Sequence, residues 1–286
     1  MLPISKQSKF ILKSHHPLKI WHQSFTVLED LPAYKAAMEK HIKKIVRPDT
    51  EVEIHGLIPG TYPSNYPGTD IALSSLYSMH TMQWLVQAVK ANRAGVDVFA
   101  MCTIPNPLIR EIRTLIDIPV VGYGESSFHL ACMLGHRFGI LMFIDKMIPM
   151  YQEQLAAYGL TSRCVGIEPV GFTFQDVLPA FTDPEPLIER FKKSARALIA
   201  KGADVIVPGE MPLNILLASN GISRVDDVPI IDGLAVTMKM AEMMADLKSN
   251  FGLYQTRQGW FGRAPERDRV EELFDFYGLS KLLNQP

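Results

Sequence analysis

Two segments of this chain carry nearly the same pattern, and this internal repeat limits the folds that are open to it. GVDVFAMCTIP, residues 95–105, and GADVIVPGEMP, residues 202–212, each run from a turn glycine through a short apolar strand to a proline. Aligning Gly95 with Gly202 also places an aspartate on an aspartate and the final proline on the final proline. The repeat predicts two similar structural halves.

Short apolar runs alternate with amphipathic helical stretches along the chain, and a second pair of similar segments follows the first. IPVVG at residues 118–122 is matched by VPIIDG at residues 228–233. Parallel strands need a connecting helix, so this alternation predicts an α/β fold of two pseudo-symmetric halves, each a parallel sheet with helices on both faces. We expect the first half to span residues 17–124, completed by 233–286, and the second to span 125–232.

Composition excludes several classes of function. The chain has 286 residues, 47% hydrophobic and 21% charged, with a net charge of −1, so no basic field favours nucleic acid. No apolar run approaches the roughly 20 residues of a membrane-spanning helix, and the N-terminus lacks the long apolar centre of a secretory signal. We expect a globular cytoplasmic protein that acts on a small molecule, without a nucleic-acid or membrane partner.

The three cysteines have no paired spacing that is typical of a disulfide framework or a zinc site. Cys132 lies within a predicted helix and Cys164 follows a turn, positions that favour plain packing. His129 and His136 are seven residues apart on one predicted helix, which is typical of ordinary surface or core histidines. No metal site is expected.

Cys102 and Glu210 stand just beyond the two similar strands. Ligands of open parallel sheets bind outside the carboxyl ends of the strands, so two facing halves would bring these side chains to one cleft. A thiolate is a base or nucleophile, with Thr103 as a neighbouring donor, and a partly buried carboxylate has a raised pKa that suits proton transfer. The alternatives are a buried apolar cysteine and a solvated loop glutamate.

Two longer motifs resemble a known family. IPVVGYGESSFHLACMLGHRFGILMF, residues 118–143, and the tail GLYQTRQGWFGRAP, residues 252–265, are similar to segments of the aspartate/glutamate racemase superfamily, in its hydantoin and allantoin racemase branch. The resemblance extends from about Lys19 to Arg263. It implies an enzyme in which two cysteines from opposite halves exchange a proton with the substrate carbon without a cofactor.

The resemblance places the first of these cysteines on Cys102. The second belongs to a Gly-Cys pair after an apolar strand, where this chain has Gly209 and Glu210. The family motif therefore pairs Glu210 with the second cysteine, whereas the internal repeat pairs Cys102 with Gly209 and Thr103 with Glu210. Gly209 is expected to border the substrate in either case.

Other candidate binding residues follow predicted strands or lie in loops. The resemblance places His22, Gln23 and Ser24 where the family has a segment that holds a substrate carboxylate or ring amide; turn formation is the alternative. Tyr66 belongs to a proline-rich loop that could border the cleft or only pack. Glu125 opens a predicted helix, where ligand contact and helix capping are both open.

The function hypothesis is a cofactor-independent racemase or isomerase of a small carbon acid, hydantoin-like or amino-acid-like, with Cys102 and Glu210 on opposite faces. A hydrolase of a small cyclic amide through a Cys102 thioester and a decarboxylase are alternatives. An inactive ligand-binding relative is a third possibility. We expect a homo-oligomer.

Overall fold

The computed structural model describes residues 17–283. Within these residues, seven parallel strands form two separate sheets. The strands of sheet A, in the spatial order β2-β1-β3-β4, are β1 (Leu18–Gln23), β2 (Thr50–His55), β3 (Val98–Met101) and β4 (Val120–Gly122). The strands of sheet B, in the order β6-β5-β7, are β5 (Phe138–Met142), β6 (Cys164–Pro169) and β7 (Val205–Pro208).

Helices connect successive strands, and the last three follow the final short strand of the chain, Val228–Pro229. They are α1 (Pro32–Ile45), α2 (Gly68–Ile71), α3 (Ser74–Ala94), α4 (Ile109–Leu115), α5 (Tyr123–Leu134), α6 (Ile148–Ala157), α7 (Phe174–Val177), α8 (Glu185–Ala200), α9 (Met211–Ser219), α10 (Gly233–Phe251), α11 (Arg267–Phe276) and α12 (Ser280–Leu283). Proline and glycine mark the ends of several of these helices. Helix α1 begins with a proline at its first position, and α3 ends at Gly95, whose φ of 71° is the left-handed conformation that favours glycine.

Side-chain alternation along the strands buries both faces of sheet A. Ile20 and Ala100 face the apolar cluster that includes residues of α1 and α10, whereas Trp21 and Phe99 face a second cluster with residues of α3 and α4. In sheet B, β5 and β7 likewise contribute to two clusters, one of which contains α8 residues. The predicted α/β fold of two halves with covered parallel sheets is confirmed.

The chain passes between the halves through two helices. Helix α5 leaves the end of β4 and leads to β5, and α10 returns to pack against α5, β3 and β4. The residue bounds that we expect for the halves, with changes at 124 and 232, remain a prediction.

Two local predictions were wrong, and one strand was not predicted. The VPIIDG strand forms only a two-residue antiparallel ribbon with Arg224–Val225, plus one bridge from Ile230 to β7, because Pro229 lacks the amide hydrogen that a regular ladder needs. Strand β6 was not anticipated, and its half-exposed residues carry no strong apolar pattern. The helix predicted to carry both His129 and His136 ends at Leu134, before Gly135, so His136 lies beyond it.

The tail similar to the racemase motif lies against the first half. The Arg257 guanidinium donates to the carbonyl oxygens of Arg113 and Ile116, each at 2.8 Å, and Gln255 donates to that of Ile118 at 2.8 Å. These bonds attach the segment after α10 to the connection between α4 and β4. Across residues 17–283, no helix combines the length and apolar character needed to cross a membrane.

Candidate active site

A cleft lies where the carboxyl ends of β1 and β3 in sheet A meet those of β5 and β7 in sheet B. Part of it is open to solvent, and the room in it for water-sized molecules is about 60 Å³. Its polar residues are Ser24, Thr26, Tyr34, Tyr66, Cys102, Thr103, Tyr151 and Glu210. Its apolar wall includes Phe25, Ile71, Phe143, Ile144, Met147, Phe174, Met211 and Pro212.

Cys102 is the first residue beyond β3, and it is almost completely buried, with 1% of its surface exposed. Its backbone amide donates to the Gln23 carbonyl oxygen at 2.8 Å, which continues the β1–β3 ladder by one bond. Burial raises the pKa of the thiol well above its ordinary value, and a backbone hydrogen bond at Gln23 opposes part of this rise. The resting site therefore holds a neutral thiol rather than a thiolate.

Glu210 lies beyond the end of β7 in the second half, as the residue that precedes α9. One carboxyl oxygen, Oε1, accepts hydrogen bonds from the amides of Phe143 at 2.9 Å and Ile144 at 3.1 Å. The other oxygen, Oε2, is buried and has no hydrogen-bond partner among residues 17–283. Burial raises the pKa of this carboxyl to about 8, although the two amides lower it. A carboxyl of this kind exchanges its proton near neutral pH.

The hydrogen-bond register shows which residues of the two halves are equivalent. The Gly209 amide donates to the Leu141 carbonyl oxygen at 2.6 Å, one step beyond the last β5–β7 pair, as the Cys102 amide does beyond the last β1–β3 pair. Cys102 is thus the counterpart of Gly209, and Glu210 is the counterpart of Thr103. The two candidate proton carriers, Cys102 and Glu210, therefore occupy positions that differ by one residue when the two halves are aligned.

Gly209 has no room for a side chain. A Cβ atom there would lie 2.7 Å from the Met142 Cβ and 2.8 Å from the Leu141 oxygen. Its own carbonyl oxygen accepts a hydrogen bond from the Tyr151 hydroxyl at 2.8 Å. These contacts fix the backbone that carries Glu210 into the cleft.

Ser24 and Tyr66, both candidates from the sequence, also line the cleft. The Ser24 hydroxyl is 2.7 Å from that of Thr26, so it already has a partner. The Tyr66 ring stacks on Phe174 with centroids 5.2 Å apart, and burial raises the pKa of its phenol, with a further contribution from nearby Glu210. The proline-rich loop thus places an aromatic side chain beside the carboxyl.

Three other candidates stand outside the cleft lining. Gln23 uses its side chain within the protein, because its amide group donates to the Ser24 and Gly56 carbonyl oxygens, each at 3.0 Å. His22 is fully buried, and burial lowers its pKa to about 4, which makes it a neutral ring at physiological pH. Glu125 pairs with Arg113 at 2.5 Å, and its backbone amide donates to Asn106 in the loop after β3 at 3.1 Å.

Sequence reasoning missed the contributions of two helices. Tyr34 of α1 and Tyr151 of α6 both line the cleft and are each 1% exposed. Neither belongs to a recognisable motif, and both read as ordinary core aromatics on an apolar helix face. Only the folded arrangement distinguishes them.

The charge pattern of the lining is simple. Within the described part of the chain, Glu210 is the sole carboxyl that borders the cleft, and no lysine, arginine or histidine does so. Residues 17–283 also contain no cluster of histidine, cysteine and acidic side chains arranged to hold a metal ion. The candidate acid–base groups that the strand ends bring to this cleft are the Cys102 thiol and the Glu210 carboxyl.

Residues 33–241 match the model of the Asp/Glu/Hydantoin racemase family. The chain belongs to this family. A hydantoin racemase from Pseudomonas sp. (strain NS671) is 31% identical over 161 residues, which cover 55% of this chain and 62% of the relative, so less than two thirds of that racemase is matched. A second hydantoin racemase, from Rhizobium meliloti, is 22% identical over 66% of this chain and 77% of the relative.

Solved structures of other family members share the fold. The allantoin racemase from Klebsiella pneumoniae superposes with a TM-score of 0.71 at 22% identity, over 87% of this chain and 94% of that racemase. At this identity the likeness shows the racemase fold alone. The two-half architecture inferred from the internal repeat is therefore the architecture of the family.

Proposed function

We propose that this protein is a cofactor-independent racemase of a small carbon acid, with Cys102 and Glu210 as the two proton carriers. The observation that supports this most strongly is that one acid–base side chain from the strand ends of each half borders the same cleft. Inversion of a carbon needs removal of a proton on one face and delivery on the other, which two opposed groups perform without a cofactor.

The two groups share one exchangeable proton in the reactive form. Burial raises the pKa of both, and the carboxyl at about 8 ionises more readily than the Cys102 thiol. The Glu210 carboxylate takes the α-proton of one enantiomer, leaving an enolate, and the Cys102 thiol then protonates the opposite face. Starting from the other enantiomer, a Cys102 thiolate takes the proton and the Glu210 carboxylic acid returns one.

The substrate class follows from the lining. The cleft offers no cationic side chain to a free carboxylate, whereas Phe143, Met147 and Phe174 provide apolar surface. A neutral cyclic amide with an apolar substituent, such as a 5-substituted hydantoin, fits this lining better than an α-amino acid. Two relatives named hydantoin racemase support the same choice.

The test is solvent exchange in deuterium oxide. Single enantiomers of 5-substituted hydantoins, allantoin, amino acids and substituted malonates are incubated with the protein, and mass and optical rotation are followed together. Cys102→Ser and Glu210→Gln should each abolish racemisation, yet each should keep deuterium uptake into the enantiomer whose proton faces the surviving group. Cys132→Ser is the matched control, since that thiol lies outside the cleft, and it should racemise normally.

Other outcomes separate the alternatives. A hydrolase adds the mass of water to the substrate, and Glu210→Gln would then trap a thioester that is visible as added protein mass. A decarboxylase releases carbon dioxide from the malonates. An inactive binder would protect Cys102 from alkylation without any turnover.

A further inference from the structure

Tyr34 presents an unused hydrogen-bond donor to the cleft. It lies in the first turn of α1, is 1% exposed, and its hydroxyl has no hydrogen-bond partner among residues 17–283. Buried hydroxyl groups are nearly always paired in native proteins, because an unpaired one costs about 1–3 kcal/mol. An unpaired phenol at the wall of a ligand cleft therefore indicates a ligand atom that accepts its hydrogen bond.

The other buried tyrosines of the described chain set a standard for comparison. Each donates to a backbone carbonyl oxygen: Tyr62 to Phe25 at 2.7 Å, Tyr123 to Pro208 at 3.1 Å and Tyr151 to Gly209 at 2.8 Å. Tyr34 departs from this pattern at the place where the cleft lies. Its hydroxyl is available to a substrate, whereas the hydroxyl of Tyr151, which also borders the cleft, is occupied.

The surroundings of Tyr34 keep its phenol protonated, so that it can donate a hydrogen bond to negative charge that develops on a substrate beside the Cys102 thiol. Burial raises the pKa of the phenol above its ordinary value and Cys102 adds to this effect, whereas a hydrogen-bond contribution from the nearby Ser24 hydroxyl, whose own partner is Thr26, opposes part of it. The phenol therefore keeps its proton and remains a donor near neutral pH. Tyr34 and Cys102 line the same cleft and belong to the same apolar cluster, so one substrate can contact both.

We propose that Tyr34 donates a hydrogen bond to the carbonyl oxygen next to the carbon that loses its proton, and so stabilises the enolate oxygen. The proton stays on Tyr34 throughout, while the carbon proton moves between substrate and the two carriers. This inference rests on the proposed racemase function. A donor aimed at developing charge contributes most in the transition state, so its loss lowers kcat more than it raises KM.

The experiment compares Tyr34→Phe with Tyr62→Phe as the matched control. Tyr34→Phe should lower the deuterium exchange rate about 100-fold, as removal of an oxyanion donor does, and should leave the melting temperature unchanged or raised, since no hydrogen bond is lost. Tyr62→Phe should keep the exchange rate and lower the melting temperature, because it loses a buried bond. Equal exchange rates for Tyr34→Phe and wild type would overturn the proposal.

A binding measurement separates this inference from the function on which it rests. 5-Benzylidenehydantoin is planar at the ring carbon and has no proton there to lose, so calorimetry can compare its binding without turnover. Wild type should bind it about tenfold more tightly than Tyr34→Phe. Equal binding, or no binding to either protein, overturns the role of Tyr34. Tyr34-dependent binding without exchange on any substrate would instead contradict the racemase function.

Discussion

Arg113 holds the carboxylate of Glu125 through two hydrogen bonds, at 2.5 and 3.1 Å. The same guanidinium donates to the Val120 carbonyl oxygen at 2.9 Å. Both side chains are about one-quarter exposed, at 27% and 25%. Glu125 thus connects α5 to α4, and its carboxylate is already fully engaged.

Glu125→Gln should lower the free energy of unfolding by about 1–2 kcal/mol, because a partly buried guanidinium loses its charged partner. Urea unfolding measures this change. Glu272→Gln breaks the exposed pair with Arg269 and should cost less than about 0.5 kcal/mol. The exchange rate should stay within about twofold of wild type, and a raised KM with unchanged stability would place Glu125 in the substrate site instead.

The rate of proton exchange through Glu210 should depend steeply on pH. Its carboxyl, with a pKa of about 8, is protonated at lower pH and cannot then accept a proton. Exchange into the enantiomer that Glu210 serves should rise about tenfold per pH unit up to about 8 and then level off. This limb should be absent in Glu210→Gln. A flat wild-type profile from pH 6 to 9 would remove Glu210 as the base.

The free energy of unfolding should also depend on pH through the ionisation of Glu210. Its pKa is raised from 4.5 to about 8 on folding, so the folded state holds this proton more tightly than the unfolded state. The resulting stability is complete below 4.5 and is lost as pH rises through 8, at about 1.4 kcal/mol per pH unit within that window. Glu210→Gln, compared by urea titration at each pH, should lack this loss. Parallel curves for the two proteins would contradict the assignment.

Gly209→Ala should disturb both stability and turnover. The added methyl group meets Met142 and the Leu141 oxygen at under 3 Å, so the strand end must shift. We expect a loss of about 1–3 kcal/mol in the free energy of unfolding and a lower exchange rate, because Glu210 is the next residue. Gly221→Ala is the comparison variant, because a methyl group at this position enters open space. The positive φ of 70° at Gly221 adds backbone strain to that variant. Normal exchange in Gly209→Ala would mean that Glu210 tolerates the shift.

The segment after α10 should stabilise the first half. Arg257→Ala removes donors to two backbone carbonyl oxygens and should lower the melting temperature by several degrees. Arg263→Ala, an exposed arginine of the same segment, is the control and should have little effect. Identical melting temperatures for the two variants would show that the attachment of this segment does not depend on Arg257.

The sequence supported the fold better than the site. The repeat around Cys102 and Glu210 located two equivalent strand ends, because short buried strands flanked by glycine and proline leave a clear pattern. It left a one-residue ambiguity that only the backbone hydrogen bonds resolve. The edge strand Cys164–Pro169 escaped notice because half-exposed residues do not alternate cleanly.

Local sequence patterns could not identify the residues that helices contribute to the cleft. Tyr34 and Tyr151 occupy buried helix faces, as core aromatics do, and nothing in their neighbourhood distinguishes a free hydroxyl from a paired one. His22 and Gln23 end β1, and their substrate contact remains a prediction. The Gln23 amide donates to two backbone carbonyl oxygens, whereas the His22 ring is buried with both nitrogens unpaired among residues 17–283.

The return of α10 to sheet A has a consequence for synthesis on the ribosome. Strand β4 ends at Gly122, whereas α10, which covers β3 and β4, begins at Gly233. At a synthesis rate of roughly 5–20 residues per second, α10 is made on the order of 10 seconds after β4. For that time α10 cannot pack on the apolar face formed by Ile20, Val98 and Ala100. Residues of α1 cover part of this face from the start, but the part on which α10 packs stays open in the nascent first half, and chaperones bind apolar surface of this kind.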